Sequence, residues 1–510
     1  MRRSSTEGTA PYRGPRRRSV TRPAQRHRAV DQARSVAYEV LRAVAEGAYT
    51  NLELPKRLRA AQVTGRDAAF ATELVYGTTR MRAFYDLVVA RAAGRPLSKL
   101  DDSVLDILRL GAHQLLGMRV PVHAACDTTV ALARQTHGTG VSGLVNAVMH
   151  RISEQDRETW LKAVSPGEDA DASARLAVET SHPEWIVRAL RSALIGHGAA
   201  TAEEADEALA ALLSADNIPA AVTLVARPGL SEIDELVEAG AEASSTVRTA
   251  AVLTAGGDPG AIPAVREGRA AVQDEGSQLV ALALAAAPVV PVQGGGPVDD
   301  QPQAPSEQWL DMCAGPGGKA GLLAALAASR PAALFANEVS EHRARLVRQT
   351  VAAAVQVGTE VYVGVGDGRE IGELEPSAYD RVLVDAPCTG LGALRRRPEA
   401  RWRRTAQDVT ALTAVQGQLL DSALAAVRVG GVVLYATCSP HLAETRFVVA
   451  DALKRAQAHG IGVEELDTGA VFAEVSEGRI THMGEGPAVQ LWPHLHSTDG
   501  MYAALLRRTS

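Results

Sequence analysis

The apolar residues of this chain follow two different periods. Between residues 30 and 155 they recur every three to four positions, as at Val36, Val40 and Val44, which is typical of amphipathic helices. No alternation of apolar and polar residues interrupts this stretch. The pattern therefore predicts a helical bundle, with helical segments at residues 33–44, 68–79, 104–116, 124–135 and 143–152.

From residue 307 onward, short apolar runs alternate with helical stretches. This order predicts a doubly wound parallel sheet flanked by helices. Polar residues or glycines follow each apolar run, and ligands bind where such carboxyl ends of parallel strands meet. The predicted strands occupy residues 309–310, 332–336, 360–365, 381–384 and 431–435.

The turn after the first predicted strand reads D-M-C-A-G-P-G-G-K at residues 311–319. Gly315, Gly317 and Gly318 allow the backbone to turn tightly, and the N–H groups of the next helix point into the turn. Glu338 lies twenty residues after Gly318, where an acidic side chain accepts the ribose hydroxyls of a nucleoside cofactor. These features indicate a site for an adenosine-type cofactor. The structural alternatives are a glycine turn without a ligand and a helix cap at Glu338.

Composition and punctuation divide the chain into six parts. The first part, a tail at residues 1–28, contains nine arginines and one acidic residue and shows no apolar periodicity. It is therefore predicted to be disordered. It is either a solubilising extension or an arm that binds phosphate groups. The parts are a basic tail (1–28), a helical domain (29–155), a linker (156–180), a small α/β subdomain (181–287), a Pro/Gly-rich flexible insertion (288–306) and the domain with the parallel sheet (307–510).

The overall composition narrows the class of protein. A chain of 510 residues is long enough for two to four domains. Its net charge of −6 alone argues against a nucleic-acid partner, but the basic tail shows that this charge is unevenly distributed. No segment has the length and apolarity of a membrane span or of a secretory signal. Four scattered cysteines without zinc-like spacing indicate reduced thiols and no metal site. The expectation is a cytoplasmic monomer.

Several sequence blocks carry a family resemblance. D-M-C-A-G-P-G-G-K, D-A-P-C-T-G-L-G, A-T-C-S-P and P-H-L-H-S-T-D-G-M-Y closely resemble, in this order, motifs of RNA cytosine-5 methyltransferases that use S-adenosylmethionine. Upstream, R-D-A-A-F-A-T-E-L-V-Y-G-T-T-R and G-L-V-N-A-V-M-H-R-I resemble the NusB-like RNA-binding domain. A NusB-like head joined to such a catalytic half resembles the RsmB family. The resemblance implies an all-α NusB-like bundle, a small α/β subdomain and a Rossmann-like methyltransferase domain.

Methylation of carbon 5 of cytosine requires a nucleophilic thiol, because this carbon is a poor nucleophile. A thiolate that adds to carbon 6 makes carbon 5 able to attack a methyl donor. Cys388 and Cys438 each follow a predicted strand, so both are candidates, and a small buried hydrophobe is the structural alternative for either. Their positions do not rank them. The resemblance implies that Cys438 is the nucleophile and that Cys388 helps in product release.

The resemblance also implies the cofactor contacts. Asp385 is expected to approach the target base and the methionine part of S-adenosylmethionine, Glu338 to bind the ribose, and Asp367 to bind the adenine amino group. Glu338 stands where many members have an aspartate, and its longer side chain can still reach the hydroxyls. The methionine end is expected to be held by Cys313, Ala314, Gly315, Pro316, Gly317, Gly318 and Lys319.

Three further groups of residues are candidate RNA contacts. The basic run at 395–404, which includes Trp402, follows Cys388 and is either a solvated loop or a phosphate-binding surface. The residues expected to shape the far wall of the base pocket are His494, His496, Asp499 and Gly500. The candidates for RNA or interdomain contact in the helical domain are Arg66, Arg80 and Asn146.

The predicted function is methylation of a cytosine in RNA, with small-subunit ribosomal RNA favoured over transfer RNA. The target base must be flipped out or single-stranded to reach the sheet edge. A non-catalytic RNA-binding assembly factor with the same fold is the alternative from a different class. Two intact cysteines and a complete glycine loop count against that alternative.

Overall fold

The computed structural model describes residues 31–167, 169–254, 256–291 and 307–510. The predicted disordered tail at 1–28 and nearly all of the predicted insertion at 288–306 lie outside these residues.

The amino-terminal part is a bundle of helices around one apolar core. Leu74, Ile107 and Leu108 are fully buried at its centre. All five predicted helical segments are present, and Asp101 caps the helix that follows it by accepting a hydrogen bond from the N–H of Ser103 at 2.9 Å. The helices are α1 (Gln32–Ala45), α2 (Thr50–Ala60), α3 (Gly65–Arg80), α4 (Arg82–Ala93), α5 (Asp102–Leu116), α6 (Val122–His137) and α7 (Thr139–Ser153).

The stretch at 156–180 differs from the predicted linker, because it contains α8 (Arg157–Val164) and α9 (Ala172–Glu179). Trp160 packs into the core of the bundle, and its indole N–H donates to the carbonyl of Ile152 at 2.9 Å. Trp160, with Leu161 and Val164 packed beside it, thus attaches this short helix to the bundle. A segment of eight residues gives too few apolar positions to display a helical period, which is why sequence analysis missed it.

The next part contains two helices and a small sheet. The helices are α10 (Glu184–Gly196) and α11 (Ala205–Asp216). The sheet is antiparallel with the strand order β2-β3-β1-β4. Its elements are β1 (Val222–Ala226), α12 (Ile233–Glu238), β2 (Glu242–Ala243), β3 (Ala250–Leu253), α13 (Pro263–Arg266), β4 (Ala270–Val272) and α14 (Glu275–Ala286).

Helices α10 and α11 share a core with the last domain rather than with the small sheet. Leu190 and Leu212 pack in one cluster with Leu391, Leu394 and Trp492. The segment after Cys388 therefore lies on a packed support.

The last domain is an eight-stranded sheet with helices on both faces. Leu383 and Leu434 belong to the core on one face, which includes α15, and Val382 and Val433 belong to the core on the other face, which includes α19. The elements are β5 (Glu307–Asp311), α15 (Gly318–Ala328), β6 (Ala332–Glu338), α16 (Glu341–Gln356), β7 (Val361–Val365), α17 (Ile371–Leu374), β8 (Tyr379–Asp385), α18 (Ala400–Arg403), α19 (Ala406–Ala426), β9 (Val427–Thr437), α20 (Arg446–Ala458), β10 (Val463–Glu465), α21 (Thr468–Val475), β11 (Val489–Gln490), α22 (Pro493–His496) and β12 (Tyr502–Arg508).

The strand order of this sheet is β10-β12-β9-β8-β5-β6-β7, with β11 paired to β12. The five predicted strands β5 to β9 are parallel, whereas the three additional strands β10, β11 and β12 are antiparallel to their neighbours. Connections leave β5 and β8 toward opposite edges of the sheet. The crevice between the carboxyl ends of β5 and β8 is therefore the topological switch point, where open α/β sheets bind ligands. Within the described ranges, no helix has the length and apolarity needed to cross a membrane.

Candidate active site

A cleft of about 2060 Å³ opens at this switch point. Its walls come from the domain with the parallel sheet, from helices α2 and α3 of the amino-terminal bundle, and from the small subdomain, for example at Val222, Asp258 and Asp274. Of the residues expected to bind the cofactor or to act on the base, all except Gly317 line this cleft. Gly317 lies behind the surface and has a φ of 114°, a left-handed conformation that suits glycine.

The glycine loop after β5 is shaped by Glu338 at the end of β6. The Glu338 carboxylate is nearly fully buried and accepts hydrogen bonds from the N–H groups of Gly315 and Ser340, both at 3.0 Å. A Cβ at position 315 would collide with this carboxylate, so only glycine fits there. Arg343 contacts both Glu338 and the carbonyl of Gly315. The loop and the acidic residue thus form one preorganised unit.

Three charged groups meet beside this loop. The ammonium group of Lys319 donates to the carboxylate of Asp385 at 2.7 Å. Burial alone would lower the pKa of Lys319, but the negative charge of Asp385 and this hydrogen bond outweigh burial, so the pKa is raised. Asp311, at the end of β5, is also buried in this group. Burial, together with the negative charge of Asp385, raises the pKa of Asp311 to about 7. A cationic ligand beside these two carboxylates would reduce their mutual repulsion.

Asp367 lies on the cleft wall after β7, as predicted for an adenine contact. Its carboxylate accepts from the backbone N–H of Arg369 at 3.0 Å and pairs with the guanidinium of the same residue, and these bonds lower the pKa of Asp367. Arg369 also donates to Gln418 at 3.0 Å. The carboxylate is therefore ionised and held in a fixed direction.

The two candidate cysteines lie side by side. The Sγ atoms of Cys388, after β8, and Cys438, after β9, are 3.4 Å apart, within hydrogen-bond reach for sulfur. The Cys388 thiol, together with the positive charges of Arg397 and Lys319, lowers the pKa of Cys438 despite its burial. The hydrogen bond to Cys438, burial and the charge of Glu444 raise the pKa of Cys388. These opposite shifts favour Cys438 over Cys388 as the sulfur that loses its proton first, with Cys388 as the hydrogen-bond donor.

The other two cysteines are unsuited to nucleophilic chemistry. Burial, with a smaller contribution from Asp311, raises the pKa of Cys313 in the glycine loop. Cys126 packs in the core of the amino-terminal bundle, and burial raises its pKa as well. Both thiols stay protonated at neutral pH, so neither offers a thiolate.

The basic run at 395–404 is mostly a structural junction, contrary to a purely phosphate-binding role. Arg401 is fully buried and donates to the carbonyls of Arg80 and Asp216 and to Asn217 Oδ1 at 3.1, 2.8 and 2.8 Å. Trp402 packs at this junction, where its indole N–H donates to the carbonyl of Thr79 at 2.7 Å. These bonds tie α18 to the end of α3.

Other arginines of the same run join separate segments of the cleft wall. Arg396 binds Asp274 at 2.7 Å and Asp499 at 3.1 Å, and Arg403 donates to the carbonyl of Val44 at 2.9 Å. Arg397 is exposed on the cleft wall, and Arg404 is partly exposed there. Only these last two match the phosphate-binding prediction, since a guanidinium that satisfies buried carbonyls and carboxylates has few donors left for RNA.

The last sequence block contributes less to the cleft than predicted. Asp499 lies on the cleft wall, where its N–H donates to Asp274 at 3.0 Å. His494 and His496 are not among the described lining residues. His496, the last residue of α22, instead contacts the carbonyl of Thr481 at 2.9 Å. Gly500 acts through its backbone, because its N–H donates to the carbonyl of Gly392 at 2.7 Å.

The helical-domain candidates also differ in position. Arg66 is exposed on the cleft wall, whereas Arg80 is buried and takes part in the interdomain junction through its carbonyl. Asn146 is exposed on α7, outside the described lining residues.

Several residues of the site were missed by sequence analysis. Asn337 joins two loops by donating to the carbonyls of Met312 and Gly366 at 3.2 and 3.0 Å. Asp311 and Glu444 are buried carboxylates beside the charged group and beneath the cysteines. The available signal was an acidic residue within or just after an apolar run, which burial makes costly unless it is bonded. No cluster of His, Cys, Asp or Glu suited to a metal ion occurs in the described ranges.

Comparisons with known proteins agree with this architecture. The family model of the 16S rRNA methyltransferase RsmB/F matches residues 301–507, and that of the NusB family matches residues 31–154. A Mycobacterium tuberculosis protein named as a methyltransferase is 48% identical over 497 residues, which cover 97% of this chain and 98% of that protein.

A second relative and a solved structure extend the comparison. The ribosomal RNA small subunit methyltransferase B of Pseudomonas putida is 32% identical over 441 residues, covering 85% of this chain and 91% of that protein. The crystal structure of PH0851 superposes with a TM-score of 0.72 at 21% identity and covers 93% of this chain and 98% of that one. At this identity the superposition supports the fold alone.

Proposed function

The chain belongs to the RsmB/F family of methyltransferases with an amino-terminal NusB domain, and from this premise we propose that it methylates carbon 5 of a cytosine in small-subunit ribosomal RNA. The observation that carries the proposal is the pair of thiols, 3.4 Å apart, at the carboxyl ends of two neighbouring parallel strands. A lone buried cysteine would be a packing residue, whereas two thiols of opposite pKa shift in a charged cleft are suited to catalysis.

The cleft fits S-adenosylmethionine as the methyl donor. When bound, this cofactor supplies a methyl group activated by a positively charged sulfur. The glycine loop at 313–319 leaves room for a ligand against the backbone, and Glu338 and Asp367 offer acceptors for hydroxyl and amino groups. Asp311 and Asp385 would favour a cation between them, and Lys319 offers a donor for a carboxylate. These groups match the ribose, adenine, sulfonium and methionine parts of the cofactor.

Cys438 acts as the nucleophile in the proposed mechanism. Its thiolate forms a bond to carbon 6 of the cytosine, and the electron pair that this addition moves makes carbon 5 nucleophilic. After methylation, a base must remove the proton from carbon 5, and the bond between Cys438 and carbon 6 must break. Arg397 and Lys319 stabilise the thiolate both before the addition and after the elimination.

Cys388 serves the release step. Its thiol carries a proton at neutral pH and lies within hydrogen-bond reach of Cys438, so it stabilises the departing thiolate by donating a hydrogen bond. Without this donor the adduct with RNA would persist.

The proposed substrate follows from the relatives. The Pseudomonas putida relative is named for ribosomal RNA of the small subunit, and the matched family is named for 16S rRNA. We extend this substrate to the present chain and place the reaction in the cytoplasm. The cleft extends from the two cysteines to α2 and α3 of the amino-terminal bundle. A single-stranded or flipped cytosine can therefore reach the cysteines while the flanking RNA contacts these helices.

Bisulfite mapping of total RNA tests the proposal. Cells that lack the gene, cells with the wild-type gene and cells with the Cys438→Ala variant are compared. The expected result is one cytosine of 16S rRNA that is protected from deamination only in the wild-type cells. A protected position in transfer RNA would replace the substrate, and RNA with identical patterns in all three cell lines would contradict the enzymatic function.

A further inference from the structure

A buried carboxylate connects the loops that carry the two cysteines. Glu444 lies in a short 3-10 turn, six residues after Cys438, and is fully buried. One oxygen of its carboxylate accepts from the N–H of Thr389 at 2.8 Å, and the other accepts from the hydroxyls of Thr389 at 2.5 Å and Ser439 at 2.6 Å. Thr389 follows Cys388 directly, and Ser439 follows Cys438 directly. The carboxylate therefore binds the residue after each thiol.

The position of Glu444 is itself fixed from two sides. The hydroxyl of Tyr435, on β9, donates to the carbonyl of Glu444 at 2.8 Å. Gln416, on α19, donates to the carbonyl of Pro387 at 2.8 Å and to the Glu444 carboxylate at 3.3 Å. The loop of Cys388 is thus held before and after the cysteine by side chains of the core. Glu444 also reaches the loop of Cys438, beside a contact between the Thr389 and Ser439 hydroxyls at 3.1 Å and a hydrogen bond from the N–H of Gly392 to the carbonyl of Cys438 at 2.9 Å.

We propose that Glu444 is a positioning residue that holds the thiol of Cys388 against Cys438 and so maintains the reactive state of the nucleophile. The inference rests on the proposed function, because it assigns a role within the same reaction. Four donors converge on one buried carboxylate, and buried charges are retained in proteins where such bonds satisfy them. The negative charge of Glu444 also favours the protonated form of Cys388, which makes Cys388 the donor of the pair.

The test measures the two thiols without RNA. The rate at which iodoacetamide alkylates Cys438 is followed against pH by mass spectrometry of the Cys438 peptide, in protein with and without Glu444→Ala. Loss of Glu444 should loosen the residues next to the two thiols, although direct bonds between the loops remain, and so weaken the hydrogen bond from Cys388. The pH midpoint for alkylation of Cys438 should then rise, because a thiolate without its donor binds a proton more tightly.

The same measurement in a Cys388→Ala background separates positioning from general damage. There the donor is already absent, so Glu444→Ala should cause little further rise in the midpoint of Cys438. Asp380→Ala is the matched control: Asp380 is a buried carboxylate of the same sheet, bonded to Arg428 and to the N–H of Gln308 at 2.6 Å, at the opposite end of β8. It should leave the midpoint unchanged.

Activity gives the second readout. With RNA and S-adenosylmethionine, Glu444→Ala should lower kcat by about a hundredfold, the scale expected when a reacting group is displaced by an ångström, with little change in KM for the cofactor. Glu444→Gln should retain part of the rate, because the hydroxyls of Thr389 and Ser439 can rotate and accept from the amide. If Glu444→Ala does not fold, Ser439→Ala takes its place, because it removes one of the four donors to Glu444. It should shift the pH midpoint for alkylation of Cys438 in the same direction.

Two results would overturn the proposal. One is an unchanged midpoint of Cys438 after removal of Glu444 from folded protein. The other is an equal rise with and without Cys388, which would mean that Glu444 acts on Cys438 independently of its partner. If RNA methylation itself is absent in the wild-type protein, the alkylation results still decide the role of Glu444, so failure of this inference and failure of the proposed function are distinguishable.

Discussion

The two cysteines are equivalent in position but not in electrostatic surroundings. Arg397 and Lys319 act on Cys438 and favour its thiolate, whereas Glu444 acts on Cys388 and favours its thiol. With the sulfur atoms 3.4 Å apart, these surroundings favour Cys388 as the donor and Cys438 as the sulfur that loses its proton first. This asymmetry is the physical reason to expect different consequences from the loss of each thiol.

Substitution of each cysteine by alanine should separate attack from release. Cys438→Ala should abolish methylation and yield no covalent complex, because no thiolate adds to carbon 6. Cys388→Ala should slow turnover and allow a covalent protein–RNA complex to accumulate in the presence of S-adenosylmethionine. The complex is detected as a shifted band on a denaturing gel.

Cys126→Ala serves as the control for this pair, because Cys126 lies in the core of the other domain and should give wild-type turnover without a shifted band. The reverse pattern, in which Cys438→Ala traps RNA and Cys388→Ala does not react, would assign attack to Cys388. That result would contradict both the resemblance and the electrostatic argument.

Residue identities could be predicted where a local motif carries them. The glycine loop, Glu338 and the two cysteines were placed at strand ends by sequence alone, and the structure brings them to one cleft. Glu444 was missed because its four donors come from separate segments of the chain, and no spacing in the sequence reveals that they converge. The role of the arginines at 395–404 was over-interpreted for a related reason. A run of basic residues in the sequence shows where the charges are, but it does not show which guanidinium groups will be buried against backbone carbonyls of another domain.

At the scale of elements, α18 connects the catalytic loop to the amino-terminal bundle. This single helical turn contains Arg401, which donates to carbonyls at the end of α3 and at the end of α11. Burial lowers the pKa of Arg401 to about 9, and the nearby Asp216 partly offsets this effect. The guanidinium therefore still carries its charge at neutral pH, and its donors satisfy backbone groups that would otherwise be buried without partners.

Removal of Arg401 should loosen this junction. Arg401→Met keeps the apolar stem but leaves at least three acceptors without a donor, at a cost on the order of 1–3 kcal/mol each. Hydrogen exchange should become faster at the end of α3 and in α18, while exchange in the central strands of the sheet stays unchanged. Exchange by segment is the appropriate measurement, because a chain of several domains does not unfold in one two-state step.

The control for this prediction is Arg404→Met, from the same run. Arg404 is only partly buried, and its side chain lies on the cleft wall, so the variant should leave exchange at α3 unaffected. Equal exchange rates for Arg401→Met and the wild-type protein would show that α18 does not hold the junction.

Secondary structure was predicted best where the apolar pattern was long. Strands β6 to β9 and five of the bundle helices had enough residues to show an apolar pattern, and β5 was placed by the glycine loop that follows its two apolar residues. Elements α8, β10 and β11 have eight, three and two residues. The antiparallel pairing of β12 could not be predicted, because strand direction depends on how the chain returns through α20 to α22. Local periodicity determines which segments are strands, but not their order in a sheet.

At the scale of the whole molecule, the cleft is formed jointly by the amino-terminal bundle, the small α/β subdomain and the domain with the parallel sheet. Arg59 and Arg66 of the amino-terminal bundle are exposed on one wall, and Arg397 and Arg404 lie on the other. Basic residues on both walls are suited to a strand of RNA that passes between the domains, since guanidinium groups bind phosphates. The acidic net charge of the chain does not oppose this arrangement, because a phosphate in the cleft responds to charges within about a Debye length.

The salt dependence of RNA binding tests whether the wall formed by the amino-terminal bundle holds phosphates. Each phosphate contact contributes about 0.7 to the slope of log affinity against log salt concentration for a single strand. Replacement of Arg59 and Arg66 by alanine should therefore reduce the slope by roughly 1 to 1.5 if each binds one phosphate. Arg91 and Arg95, which are exposed on the same domain but outside the described lining residues, give the matched double variant with an unchanged slope.

Deletion of residues 1–28, measured in the same series, should lower the slope further if the nine arginines of the tail contact phosphate, and an unchanged slope would identify the tail as a solubilising extension. A slope that responds to the tail but not to Arg59 and Arg66 would show that RNA does not contact the bundle wall, and would contradict an RNA path between the two walls.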